Sequence, residues 1–436
     1  MSDKRAMEIL ADYILVDGFH LVPDIFGSNG VWIKDRETGK FYLDCYSNFS
    51  SCAVGHNHLK MVTDLAFRQK LEYAAMENPA NSDVYTPEYV EFVETFARIA
   101  KPEHFKHLFF IDGGGPAVDN ALKAAFDWKA RKKNSLGIDY QDLEIIHFKK
   151  AFHGRTGYAL SVTRTDPVKT MYFPRFDWPW FNNPCLKFPV DEREIKRVEE
   201  EEERVIKRIK EAIKMRSRQI AAIIIEPIQG EGGDNHFRGE FLSELRRITL
   251  ENEVLLIFDE IQTGFGTTGK MWCCEHFGVE PDILVFGKKS QVCGMMVSER
   301  IDEVKDNVFK VSGRINSTMG GSLVHMVKCQ KVLEIMHEDN LIANAAKTGE
   351  YFLRQIESLA VNSGGVISNV RGRGFFLAFD LPAAETRDKF KQLLWDEGLA
   401  HLKCGEKSIR FRPPLIFNKE NVNAAVEMVK SAVKKL

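Results

Sequence analysis

The sequence predicts an α/β protein, with a large domain whose mainly parallel sheet is sandwiched by helices and a smaller α+β domain beside it. Three observations predict this. Short apolar runs at 108–111, 145–148, 221–225, 254–258 and 283–286 are bounded by Gly, Asp or Pro and lack polar alternation, as strands buried on both faces do. Amphipathic helical patterns separate these runs. After Gly321 the order changes to two helices followed by short strands.

In chain order, residues 1–57 form an N-terminal segment that is expected to pack with the small domain through strands around 31–33 and 41–43. The large domain is expected over 58–320. Within it, a helix over 118–132 would turn Ala121, Leu122, Ala125 and Trp128 to one side. A charged helix over 192–215 has Ile195, Val198, Val205, Ile209 and Ile213 near helical spacing, with Glu199 to Glu203 facing solvent. The small domain, 321–436, should contain helices at 323–338 and 344–359, strands near 366–370, 374–380 and 408–411, and a closing helix at 421–435.

Composition narrows the function classes. The 436 residues include 60 basic and 62 acidic side chains, so no general field draws nucleic acid or an anionic membrane surface. The 8 cysteines are scattered without a Cys-x-x-Cys pair, which argues against a disulfide framework and against a zinc site. Residues 1–18 mix apolar and charged positions, with no apolar stretch suited to a signal peptide or a span, so a cytoplasmic address is expected.

Two strand ends bring chemistry to one edge. The run at 254–258 delivers Asp259, and the next run delivers Lys288 after Gly287. Alone, such an Asp is a cap or turn residue and such a Lys extends to water. Together they suit a division of labour in which an amine forms an imine with an aldehyde cofactor while a carboxylate keeps a pyridinium nitrogen protonated. A phosphate cradle should accompany them, and Gly113-Gly114-Gly115 lies between a strand and a helix, where backbone N–H groups can meet an anion. Neither the dinucleotide fingerprint nor a P-loop is present.

The segments IIIEPIQGEGG (223–233), LLIFDEIQTGFGTTGK (255–270), PDILVFGKK (281–289) and FHGRT (152–156) resemble the class III (omega-amino acid) aminotransferases of fold type I. NSTMGG (316–321) and IRFRPPL (409–415) extend the likeness along nearly the whole chain. The resemblance implies pyridoxal 5'-phosphate, with Lys288 as the imine-forming residue and Lys289 its neighbour. It implies Asp259 at the ring nitrogen, Gln262 at the ring's phenolic oxygen, and Phe152 and Ile261 on opposite ring faces. It further implies phosphate binding by the N–H groups of Gly114 and Gly115, and by Thr318 of a neighbouring subunit, hence a homodimer with shared sites. The family usually carries Ser or Thr near this glycine run, so Gly113 and Gly115 depart from its pattern.

Residues 148–155, 229–234 and 287–294, with 78–85 and 124–129, look most like the L-lysine 6-aminotransferase branch. That likeness implies transfer of the ε-amino group of L-lysine to 2-oxoglutarate, giving L-glutamate and L-2-aminoadipate 6-semialdehyde. Two carboxylate anchors are then needed, and Arg155 and Arg410 match the family's positions, guanidinium being a bidentate partner for carboxylate. Glu231 is expected to pair with Arg410 while lysine is bound and to swing aside for 2-oxoglutarate. Asn48, Phe49 and Ser50 are expected near the substrate. The alternatives are a 4-aminobutyrate or ornithine-type enzyme, and a non-catalytic binding protein, which the joint presence of Lys288, Asp259, Gln262 and Thr318 disfavours.

Overall fold

The computed structural model describes residues 6–133, 142–216 and 219–436. After a short helix, Ala6–Ala11, come two short strands, β1 (Trp32–Lys34) and β2 (Phe41–Asp44). The large sheet follows with β3 (Phe105–Ile111), β4 (Glu144–Phe148), β5 (Trp180–Phe181), β6 (Ile220–Ile225), β7 (Leu255–Asp259), β8 (Ile283–Phe286) and β9 (Cys293–Ser298).

The spatial order is β3-β9-β8-β7-β6-β4-β5. Only β9 runs against its neighbours, pairing antiparallel with both β8 and β3, while β8, β7, β6, β4 and β5 are parallel. Every residue of β6, β7 and β8 is buried, which explains their continuous apolar character: helices cover both sheet faces and leave no side for polar residues. Because the strands share a direction, their carboxyl ends open onto one edge, where ligands of such sheets collect. The register sets Asp259 beside Val285, so the two strand ends lie next to each other.

The C-terminal part carries β10 (Ser368–Arg373), β11 (Phe376–Asp380), β12 (Leu399–Ala400), β13 (Leu402–Cys404) and β14 (Ser408–Phe411). Four of these make an antiparallel sheet in the order β10-β11-β14-β13, which holds Arg410 and Arg412 on one strand or just past it. β12 instead joins β1 and β2, pairing Leu399 with Leu43. Phe19, Tyr42 and Trp395 stack across this junction at 4.7 to 5.0 Å between centroids.

Several boundaries differ from the sequence expectation. The helix expected from 118 starts at Gly114, because the chain turns at Gly113 (φ +93°) and Pro116 in the first helical turn has no N–H to leave unpaired. The next long helix, Glu192–Met215, is as expected and is capped by Asp191, which accepts from the Glu194 N–H at 2.8 Å. Its glutamates do not all face solvent: Glu202 is buried against Arg238, 3.3 Å away, and burial pushes its carboxyl up to about 7. The helix expected at 344–359 spans Leu341–Val361, and the closing helix begins at Lys419 behind the Asn418 cap. Among the described residues, no helix is long and apolar enough to cross a membrane.

Candidate active site

Lys288 follows β8 in a left-handed conformation, φ 55°, that costs a non-glycine residue about 1 kcal/mol. The turn puts its side chain on the wall of a cavity of about 580 Å³ together with Asp259, Gly114, Phe152, Ile261 and Gln262. Burial, reinforced by the positive charge of Arg410, lowers its ammonium to about 8. Lys289 goes elsewhere: its Nζ donates to Ser50 Oγ at 2.7 Å and to the Ser50 carbonyl at 3.2 Å. The cavity therefore selects the first lysine of the pair. Size alone would not: a space of about 770 Å³ opens beside Phe176 and Trp178, where Asp127 is already paired with Arg131 and Arg314.

Asp259 is 4% exposed. Its Oδ1 accepts from the Ile261 N–H at 3.1 Å, and its Oδ2 lies 2.8 Å from His153 Nδ1. The carboxylate accepts there, so Nδ1 carries the proton and the imidazole fixes the carboxylate's orientation. Glu226, just past β6, also lines the cavity; its oxygens accept from the N–H groups of Phe152 and Gly230, each at 2.9 Å. Burial pushes that carboxyl up to about 7.

The glycine cradle leaves no room for side chains. A Cβ on Gly115 would stand 2.7 Å from Thr156 Oγ1, and one on Gly154 would stand 2.8 Å from the Gly115 Cα. Thr156 is itself committed, donating to Asp119 Oδ2 at 2.7 Å. This packing explains glycine at 115, where the family pattern usually has Ser or Thr nearby. The N-terminus of the helix Gly114–Lys133 is thereby left to bind an anion through backbone N–H groups. Thr318 is exposed and lies outside the cavity wall within one chain; its carbonyl accepts from Ser82 Oγ at 2.8 Å.

A charged cluster closes the other side. Arg410 is 2% exposed and donates from Nη2 to Glu231 Oε2 at 2.7 Å. Lys169 donates to the other oxygen, Oε1, at 2.6 Å. Burial alone would raise the Glu231 carboxyl, but the two cations outweigh it and hold it below its ordinary range. Arg412 pairs with Asp234 at 2.6 Å, both fully buried. Gln262 Oε1 accepts from Arg410 at 3.2 Å and from Arg412 at 3.1 Å, which leaves its amide as the group free to meet a ring oxygen. Arg155 is exposed on the cavity wall, with no hydrogen-bond or ion-pair partner among the described residues. Of the N-terminal residues, Ser50 reaches Lys289 and Ser51 lines the cavity.

The residues fit pyridoxal 5'-phosphate: an amine lowered by burial, a buried carboxylate on the wall of the same cavity, and a glycine cradle in which a Cβ at Gly115 or Gly154 would collide with its neighbours. His153, Glu226 and Lys169 were not singled out from sequence. The first two lie inside the quoted FHGRT and IIIEPIQGEGG segments, whereas Lys169 belongs to no motif, and only the fold brings it to Glu231.

The aminotransferase class-III profile matches residues 18–433. The L-lysine-epsilon aminotransferase of Mycobacterium tuberculosis is 43% identical over 433 residues, 99% of this chain and 96% of that relative. The one from Streptomyces clavuligerus is 43% identical over 427 residues, 98% of this chain and 93% of the relative. A probable mitochondrial 4-aminobutyrate aminotransferase of Caenorhabditis elegans is 32% identical, covering 96% of this chain and 88% of its own. Among solved structures, the lysine aminotransferase from M. tuberculosis superimposes with a TM-score of 0.95 at 43% identity, covering 99% of each chain.

Proposed function

The chain belongs to the class III aminotransferases, and from that premise we propose that it is a pyridoxal-phosphate enzyme that moves the ε-amino group of L-lysine to 2-oxoglutarate, giving L-2-aminoadipate 6-semialdehyde and L-glutamate. The observation that carries the reading is the Glu231–Arg410 ion pair at 2.7 Å, beside which Arg155 stands on the cavity wall without a partner among the described residues. Lysine presents one carboxylate and a run of methylenes to this site. Its carboxylate suits Arg155, and its methylenes can pass Arg410 only while Glu231 neutralises that charge. 2-Oxoglutarate presents two carboxylates, which suit Arg155 and Arg410 once Glu231 has moved.

Bound pyridoxal 5'-phosphate supplies an aldehyde for amine groups and a ring that withdraws electrons from the substrate carbon. Lys288 Nζ, lowered to about 8, would hold the cofactor at rest and, once displaced by the incoming substrate amine and free again, would move a proton at the carbon bearing that amine. Asp259, oriented by His153, would keep the cofactor's ring nitrogen protonated. Phe152 and Ile261 would flank the ring, Gln262 would meet its oxygen, and the N–H groups of Gly114 and Gly115 would take the phosphate. Thr318, exposed in one chain, would complete the phosphate site of a second copy, which makes the working unit a homodimer; a cytoplasmic address fits the reading.

A panel of amino donors tests it. With 2-oxoglutarate as acceptor, kcat/KM for L-lysine should exceed that for 4-aminobutyrate and for L-ornithine; preference for either of those would overturn the substrate assignment.

A further inference from the structure

Glu231 is held by two cations, one on each oxygen, and the proposed function involves only Arg410. The second is Lys169, whose Nζ lies 2.6 Å from Oε1 with its side chain 13% exposed. Its backbone is fixed in the short turn Pro167–Lys169, where Asp166 accepts from the Val168 N–H at 3.0 Å. The ammonium also stands over the Phe152 ring, 5.2 Å from its centroid, which steadies it further. The backbone of Glu231 is fixed as well: its carbonyl accepts from the Gly405 N–H at 2.9 Å. Packing is just as tight at the next residue, where a Cβ on Gly232 would meet the Lys150 carbonyl. Any motion of the carboxylate is thus confined to the side chain.

We propose that Lys169 is a positioning residue that keeps Glu231 paired after Glu231 leaves Arg410, so that the site can admit a second substrate carboxylate without stranding a charge. The inference rests on the proposed function. A carboxylate displaced from Arg410 by a dicarboxylate would otherwise remain half-buried beside an incoming anion, with both desolvation and like-charge repulsion against it. Rotation about the Oε1–Lys169 contact lets Oε2 release the guanidinium while the ion pair with Lys169 persists. Lys169 has further N–H bonds available to follow that movement. The residue therefore sets the ease of the 2-oxoglutarate half-reaction, and it matters little to the lysine half, during which Glu231 stays on Arg410.

Glutarate, an unreactive dicarboxylate, separates these effects when titrated into the holoenzyme by calorimetry. Lys169→Met should weaken glutarate binding about tenfold, the loss of one charge-assisted hydrogen bond. Lys169→Arg should restore it, and in a Glu231→Gln background the Lys169→Met change should cost less than twofold, because no carboxylate then needs holding. In single turnovers, the 2-oxoglutarate concentration that half-saturates its half-reaction should rise with Lys169→Met by a larger factor than the lysine concentration that half-saturates the other half. Equal glutarate affinity in Lys169→Met and wild type overturns the role of Lys169 and leaves the functional reading standing. So does a loss that Lys169→Arg fails to rescue, or one that persists in full with Glu231→Gln. Failure of glutarate to bind the wild-type holoenzyme overturns the reading of the cavity as a dicarboxylate site, and this proposal with it.

Discussion

His153 Nδ1 and Asp259 Oδ2 lie 2.8 Å apart, with the imidazole wholly enclosed and the carboxylate nearly so. The pair joins the loop after β4 to the end of β7 and, together with the Ile261 N–H, fixes the orientation of the carboxylate. Replacing His153 by Phe keeps the bulk and removes the donor. The loss of a hydrogen bond to a charged group, ~1.5–3 kcal/mol, should lower kcat/KM by about 10- to 100-fold. Steady-state kinetics check this, with circular dichroism showing that the fold is intact; activity within twofold of wild type would remove His153 from the account.

Glu231→Ala should harm the two half-reactions unequally. Without its carboxylate Arg410 faces the lysine methylenes as an unneutralised cation. Removing one partner of a fully buried pair costs about 3–5 kcal/mol, and solvent access to Glu231, 29% exposed, reduces this to ~1–3 kcal/mol. The lysine half should therefore slow by about 10- to 100-fold, with a smaller effect on the 2-oxoglutarate half. Stopped-flow single turnovers measure each half; equal losses would contradict the switch.

The pH dependence of cofactor loading follows from Lys288. Its ammonium is lowered from the model-compound value of 10.5 to about 8, so the neutral amine, the form that attacks an aldehyde, grows as pH rises through 8. Loading of cofactor-free protein with pyridoxal 5'-phosphate should accelerate about tenfold per pH unit below that point and level off above it. The visible absorbance of the loaded protein follows the rate. A rise that continues unbroken to pH 10 would mean that the lysine is not desolvated.

Gly115→Val should loosen the phosphate site. Its Cβ would stand 2.7 Å from Thr156 Oγ1, and the collision can be relieved only by giving up the Thr156–Asp119 hydrogen bond or by moving the helix N-terminus. At ~1.5 kcal/mol, the cofactor's dissociation constant should rise about tenfold, as measured by equilibrium dialysis. Unchanged affinity would place the phosphate elsewhere.

The sequence was most informative where one strand carries both the fold and the chemistry. β7 and β8 announce themselves by unbroken apolar runs; β7 ends on Asp259 and Lys288 comes two residues after β8, so the two were readable together. Arg410 and Glu231 came from resemblance, since nothing in spacing alone shows that residues 179 positions apart touch. The Glu202 reversal arose because a charge run reads as a solvated face, whereas the helix turns that one position toward Arg238. Lys169 was illegible for a deeper reason: a short turn with no motif becomes functional only when tertiary packing brings it to Glu231.

Nitrogen tracing tests the central claim most directly. With L-lysine labelled at the ε-amino nitrogen and unlabelled 2-oxoglutarate, mass spectrometry should find the label in the glutamate formed, and lysine labelled at the α-nitrogen should give unlabelled glutamate. Label arriving from the α-position, or glutamate absent from both reactions, would contradict the assignment of the terminal amine to Lys288's end of the cavity.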